Sequence, residues 1–318
     1  MRHFLRLLDL SPHELRSVLD DAARYKTTRG ASEHPKPLHG KSVAILLEKA
    51  STRTRISFEV GVHELGGMPI TLVARDTQLG RGEPLEDTAR MFSGYVHAVV
   101  YRTSEHARAQ TLADHATVPV INGLSDLHHP CQILADLQTV HETVLAPTGQ
   151  TWSDLRVAWI GDGNNVAHSW VEAAAMLGFE LRIACPRGYE PDAQLMQSVR
   201  QGVAQQPLHS PGFRVSVMHD ADEAARGAHV VTTDVWASMG QEQEQARRAE
   251  AFALFTVTQA RMKLARPDAI FLHCLPAHRG EEVDASVIDG PQSQVWSEAE
   301  NRLHAQKALL DFLVHQAS

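Results

Sequence analysis

"SVAILLEKASTRTRISFE" (residues 42–59) holds two patterns in sequence. An unbroken apolar run, 42–47, reads as a buried strand. The stretch near 52–65 reads as a helix. Between them, Ser51-Thr52-Arg53-Thr54-Arg55 puts three hydroxyls and two guanidinium groups into five positions. Taken locally, the run has two bland readings, a helix N-cap with a charged first turn or a solvated basic loop. Against these stands an anion site, because backbone N–H groups at a helix start, hydroxyls and planar guanidinium groups are all donors suited to phosphate. The surroundings have to decide.

The same strand-then-helix unit recurs along the chain. Strands are expected at 42–47, 69–73, 98–102 and 118–122, with helices near 52–65, 85–94, 105–115 and 129–144. The segment "LAPTGQTWSD" (145–154) breaks the periodicity and reads as a domain edge. Strands then resume at 156–161, 180–185, 213–218, 229–234 and 269–275, with helices over 166–177, 191–204, 221–226, 245–264 and 300–315. Alternation of this kind implies an α/β fold with two doubly wound parallel-sheet domains. The expected division is 1–145 with 299–318 packing back on it, and 146–298.

Parallel sheets hold their ligands outside the carboxyl ends of the strands. The residues just past each strand are therefore informative: the Ser51–Arg55 run, Arg102, the segment reaching His129, then "GDGNN" (161–165), Asp234 and Cys274-Leu275. These residues share one edge of their sheets, and the expected ligand site is the cleft between the two domains.

Composition narrows the field. The 318 residues are 43% hydrophobic and carry a net charge of −8 with both signs dispersed, which offers no nucleic-acid or polybasic membrane surface. No apolar run is long enough to span a bilayer. "MRHFLRLLDLSPHEL" is interrupted by Arg6 and Asp9 and does not read as a signal peptide, so a cytoplasmic location is expected. Ser11, Pro12 and Glu14 there form a helix start with a capping box. The three cysteines, Cys131, Cys185 and Cys274, are too far apart to suggest a disulfide framework. Among the 19 histidines no His-Glu-x-x-His motif occurs, and there is no Cys-x-x-Cys, so no metal and no cofactor is expected.

Each constellation has a plain and a chemical reading. Arg102 is a surface ion pair or a ligand for phosphate or a carbonyl. In "HHPCQ" (128–132), His129 and Gln132 lie three apart on one helical face, where both can donate to an oxygen; alone, His129 is better read as an N-cap or a core imidazole. Cys131 is read as a small hydrophobe. "GDGNNV" (161–166) resembles a dinucleotide fingerprint, but Val166 stands where the third glycine belongs. Asn164 and Asn165 read instead as donors for a carboxylate, and Asp234 as a partner for an ammonium group. Cys274 is a buried thiol, or a nucleophile if His273 or His278 is its base.

In these motifs the chain resembles the aspartate/ornithine carbamoyltransferase family. "STRTR" and "HPCQ" are common to the family. "QLGRGEPLEDTARMFSGYV" (78–96), "GDGNNV", "DVWASMGQE" and "HCLPAHRGEEV" are similar to its ornithine branch. The likeness runs in order over essentially the whole chain.

The resemblance implies transfer of a carbamoyl group from carbamoyl phosphate to the δ-amine of L-ornithine, giving citrulline and phosphate in arginine biosynthesis. It implies that Ser51, Thr52, Arg53, Thr54 and Gln78 hold the phosphate. Arg102, His129 and Gln132 would hold the carbamoyl group, with Arg302 returning to it from the last helix and Cys274 and Leu275 beside the reacting amine. Asn165, Asp234, Ser238 and Met239 would bind ornithine. Arg102, His129 and Cys274 are the expected catalytic set. Acetylated or succinylated ornithine is the nearest rival substrate; a nicotinamide oxidoreductase and a non-catalytic binding protein are further alternatives. The resemblance also implies a homotrimer, or a multiple of trimers, with Gln78 reaching a neighbouring subunit.

Overall fold

A computed structural model describes residues 1–205, 212–237 and 244–316. It divides into two compact units, Met1–Gln138 with Glu300–Ser318, and Thr139–Ala299.

The first unit is built on a four-stranded parallel sheet. Its strands are β1 (Ser42–Leu47), β2 (Met68–Val73), β3 (Ala98–Arg102) and β4 (Val120–Leu124), in the order β2-β1-β3-β4. β3 is buried along its whole length and β1 from its second residue on, as uninterrupted apolar strands between helical layers must be. Ala44, Leu46, Val99 and Tyr101 pack with Phe92 and Leu112 from the helices Leu85–Tyr95 and His106–His115. β4 starts two residues later than the apolar run suggests. Pro119 has no N–H to donate, so it precedes the strand and offers only its carbonyl, to Val99 N.

The second unit has five parallel strands, β5 (Arg156–Ile160), β6 (Glu180–Ala184), β7 (Val215–Met218), β8 (Val230–Thr233) and β9 (Ile270–His273), ordered β7-β6-β5-β8-β9. Its helix Asn165–Leu177 is apolar on nearly every side and buried from Val166 onward.

Three expected elements differ in detail. The helix read over 245–264 is two helices, Gln245–Phe252 and Gln259–Met262. Val257 between them is fully buried and exchanges backbone hydrogen bonds with Glu282 and Asp284, and Thr258 caps the second helix. Tertiary pairing of that β-branched stretch outweighs continuation of the helix. The last helix begins at Val295, five residues early. The helix from Pro130 is α-helical to Val140, widens to a π turn over His141–Leu145, and closes with Ala146–Thr148.

In both sheets the strand order reverses at one place, and ligands bind at such switch points. In the first unit it lies between β1 and β3, where Leu47 is in register with Arg102. In the second it lies between β5 and β8, ahead of Gly161 and Asp234. The topology thus selects the same loops that carry the polar motifs.

Candidate active site

At the first switch point, Ser51 takes an extended conformation and caps the helix Thr52–Glu64, its Oγ accepting the Thr54 N–H at 3.3 Å. The cap reading is borne out. The hydroxyl fixes the first turn of that helix. Thr54 is buried, and its Oγ1 accepts from Arg102 Nη1 at 3.4 Å. Arg102 is itself buried, at an irregularity where its register with β4 jumps to Leu124. Glu48, just past β1, accepts from Tyr101 (2.6 Å), Thr103 (2.5 Å) and Arg108 (2.6 Å), tying the ends of β1 and β3 together.

His129 precedes the helix Pro130–Val140, and its carbonyl accepts the Gln132 N–H at 3.1 Å. Its imidazole is buried. Burial, then the positive charges of Arg302, Arg102 and Arg53, hold its pKa well below the usual histidine range. Arg302, from the last helix, donates to Gln132 Oε1 at 2.7 Å, and Gln132 Nε2 donates to Asp136 at 2.8 Å. The Gln306 amide, oriented to accept from Arg302 Nε and Nη2 at 3.0 Å each, donates to Ser57 Oγ at 2.6 Å. Arg302 is thereby braced against the helices of both Arg53 and Gln132. Cys131 is fully buried, its thiol pushed up to about 12 by burial, an inert hydrophobe as its context suggests.

Two members of the motif stand apart. Arg55 pairs with Glu59 at 2.9 Å one turn on and is half exposed, a surface ion pair. Gln78 is exposed at the start of a 3-10 turn, Leu79–Arg81, and its side chain hydrogen-bonds none of the cluster among the described residues.

The second switch point has its own polar group. Asn164 caps the helix Asn165–Leu177, its Oδ1 accepting from Val166 N and Ala167 N, and its Nδ2 donates to Asp234 Oδ2 at 2.8 Å. Asp234 Oδ1 accepts from Val235 N (2.8 Å) and from the Cys274 thiol (3.1 Å). Asn165 is the first residue of the same helix. Ser238 and Met239 lie outside the described residues. Beneath the loop, Asp162 pairs with Arg248 at 2.8 Å; burial raises its pKa, an effect the arginine opposes.

Both histidines considered as a base for Cys274 face other groups. His273 Nδ1 accepts the Leu275 N–H at 2.9 Å, so its proton is on Nε2, which faces Glu282 Oε1 at 3.1 Å. Neither nitrogen is left to deprotonate a thiol, or to ligate a metal beside Asp234 and Cys274. His278 is half exposed and lies against Glu281 and Glu282. The hydrogen bond from Leu275 also holds that residue at φ 57, a left-handed conformation that costs a leucine roughly 1–2 kcal/mol.

The dinucleotide reading of "GDGNNV" is answered by packing. A Cβ on Gly163 would lie 2.2 Å from Pro191 N and 2.4 Å from the Glu190 carbonyl carbon. The glycine admits the chain's own backbone, in the place where a fingerprint glycine would admit a pyrophosphate.

Sequence reasoning reached most of this set because strand ends are legible. It missed Arg248 as the partner of Asp162, which lies 86 positions away, and Glu282 as the partner of His273, nine positions on across a loop whose pattern carries no pairing signal.

Two family models match the chain. One described as the carbamoyl-P binding domain of aspartate/ornithine carbamoyltransferase matches residues 2–142, and one described as its Asp/Orn binding domain matches 153–313. An ornithine carbamoyltransferase of Halorhodospira halophila is 55% identical over 99% of both chains, and that of Methylococcus capsulatus 52% over 98% of both. Among solved structures, ornithine carbamoyltransferase from Pyrococcus furiosus is similar at 46% identity and TM-score 0.90, covering 99% of this chain and 97% of that one. Anabolic ornithine carbamoyltransferase from Campylobacter jejuni is similar at 39% identity and TM-score 0.91, covering 99% and 100%.

Proposed function

The chain belongs to the aspartate/ornithine carbamoyltransferase family, and from that premise we propose how its residues carry out carbamoyl transfer from carbamoyl phosphate to the δ-amine of L-ornithine. The observation that carries the reading is the geometry at the first switch point, where the helix start capped by Ser51, the Arg102–Thr54 contact and the Arg302–Gln132 hydrogen bond gather beside the buried His129. Phosphate is held by the capped helix start, through Ser51, Thr52, Arg53 and Thr54, with Gln78 supplied to it from a neighbouring subunit. Arg102, His129 and Gln132 donate to the carbamoyl oxygen, and Arg302 holds Gln132 in place. Asp234, Asn165, Ser238 and Met239 bind the amino-acid end of ornithine, and Leu275 lies beside the reacting amine.

In the transfer, the neutral δ-nitrogen attacks the carbamoyl carbon. A C–N bond forms, the C–O bond to phosphate breaks, and the amine proton leaves with phosphate or solvent. A free amine of this kind has a pKa of about 10.4, so the site must accept its minor neutral form. Fixed guanidinium groups stabilise the charge that collects on the departing phosphate, and fixed orientation supplies the rest. Cys274 donates its S–H to Asp234 and acts as a positioning group.

The domains assigned to the two substrates are 1–145 with 299–318 for carbamoyl phosphate, and 146–298 for ornithine. We further propose an arginine-biosynthetic role, in keeping with the word anabolic in the name of the Campylobacter jejuni structure. A cytoplasmic location is in keeping with the finding that no helix among the described residues is long and apolar enough to cross a membrane. A homotrimer is supported by exposed apolar side chains on the first unit, Ile56, Met68, Met91 and Tyr95. Full activity in a verified monomer would refute the shared site.

The deciding measurement is steady-state carbamoylation of ornithine, acetylornithine, succinylornithine and aspartate side by side. Ornithine should exceed the others by at least about a hundredfold in kcat/KM, since a charged α-ammonium paired with Asp234 is what the acylated substrates lack. Preference for an acylated substrate would overturn the assignment.

A further inference from the structure

The loop after Pro276 carries a group of donors that carbamoyl transfer does not use. His278 Nδ1 lies 3.8 Å from Glu281 Oε2 and 3.9 Å from Glu282 Oε2. These separations are too long for hydrogen bonds. They suit donors spanning an ion. Ligands about 2.1 Å from a tetrahedral centre stand about 3.4 Å apart; the imidazole nitrogen is within a few tenths of an ångström of that spacing from each carboxylate, and all three atoms lie within 4.8 Å of one another.

An independent observation comes from Glu282. Its side chain is fully buried. Oε1 is satisfied by His273 Nε2 (3.1 Å) and His278 N (2.6 Å), whereas Oε2, on the His278 side, is buried with no hydrogen-bond partner among the described residues. A buried carboxylate oxygen left in that state is costly, and a cation is the partner that relieves it most directly. The loop holds the donors close. Glu281 N donates to the His278 carbonyl, Gly280 N to Val283 O, and Gly280 supplies the left-handed turn at φ 90. His278 and Glu281 are partly exposed, which gives an entry path.

We propose that His278, Glu281 and Glu282 form a binding site for a divalent transition metal ion. One imidazole nitrogen and two carboxylate oxygens favour Zn²⁺, Co²⁺ or Mn²⁺ over the all-oxygen cages of Ca²⁺ and Mg²⁺. A motif of paired histidines passes over this set, because it has one histidine and lies on a loop. The site adjoins the segment that shapes Cys274 and Leu275, since Glu282 is also the carboxylate that orients His273.

The test is titration of the metal-stripped protein with Co²⁺, followed by its visible d–d absorption, with Zn²⁺ competition and thermal unfolding alongside. The expected result is one Co²⁺ per chain, displaced by Zn²⁺, with a raised Tm. His278→Ala and Glu281→Gln should each weaken binding by at least about tenfold, remove the Tm shift and leave carbamoyl transfer without metal unchanged. Cys274→Ser should bind as the parent does. Three outcomes overturn the proposal: no binding at submillimolar Co²⁺, binding that survives both loop substitutions, or a thiolate charge-transfer band that Cys274→Ser abolishes. The last would put the ion beside Asp234 and Cys274.

Discussion

Arg53 and Arg55 are two positions apart, with the same side chain and different surroundings. Arg53 contributes its charge to the field on His129, whereas Arg55 is held by Glu59 on the outer face of the helix. An exposed i,i+4 pair contributes only a few tenths of a kcal/mol. A guanidinium bonded to phosphate contributes about 1.5–3 kcal/mol. Arg53→Ala should therefore weaken carbamoyl phosphate binding by at least about tenfold, and Arg55→Ala by less than about threefold. Calorimetric titration of both variants checks this, and equal losses would reverse the assignment. Cys274 offers a second test at this scale. With its thiol directed at Asp234 and His273 engaged by Leu275 and Glu282, quenched turnover mixtures analysed by mass spectrometry should contain no carbamoylated Cys274.

At the scale of elements, the loop between β5 and the helix Asn165–Leu177 does two jobs, and the two can be separated. Asn164 both caps the helix and orients Asp234. Asn164→Ala should cost about 1 kcal/mol of stability through the lost cap. It should also raise the KM for ornithine while leaving that for carbamoyl phosphate nearly unchanged. An unchanged ornithine KM would mean that Asp234 needs no help from Asn164. Gly163→Ala places a methyl group against backbone at Glu190 and Pro191, which has no rotamer to escape through. It should cost about 1–3 kcal/mol or more, read as a lower denaturation midpoint. A midpoint equal to the parent's would show that this loop gives way freely.

At the scale of the whole molecule, buried histidines tie stability to pH. Burial is the leading cause that lowers the pKa of His129 and His229, and it takes His304 down to about 3. Below about pH 6.5 the unfolded chain binds protons that these folded imidazoles refuse. The folded state therefore loses stability as pH falls, by up to about 1.4 kcal/mol per pH unit for each such group, until its own pKa is reached. Denaturant unfolding at pH 7 and pH 5.5 should show a clear loss on the acid side. A flat profile would mean that the folded protein opens to protonate them without penalty.

The sequence by itself determined the α/β class, the nine strands among the described residues to within two residues at either end, and the strand-end loops that carry most of the candidate residues. It did so because strand and helix periods, caps and breakers are local properties of the chain. Ser11 and Ser51 cap as their spacing says. What tertiary structure decided is which of those loops share a switch point, because strand order is a matter of long-range pairing. It also decided which like residues differ in role. Arg55 finds a neighbour on its own helix, Arg302 returns from the far end of the chain to Gln132, and His273 is turned from a candidate base into a bracket for Leu275 by Glu282. Partnership across long separations leaves no period in a sequence. It exists only once burial has brought the partners together and taken away the water that would otherwise have served each of them.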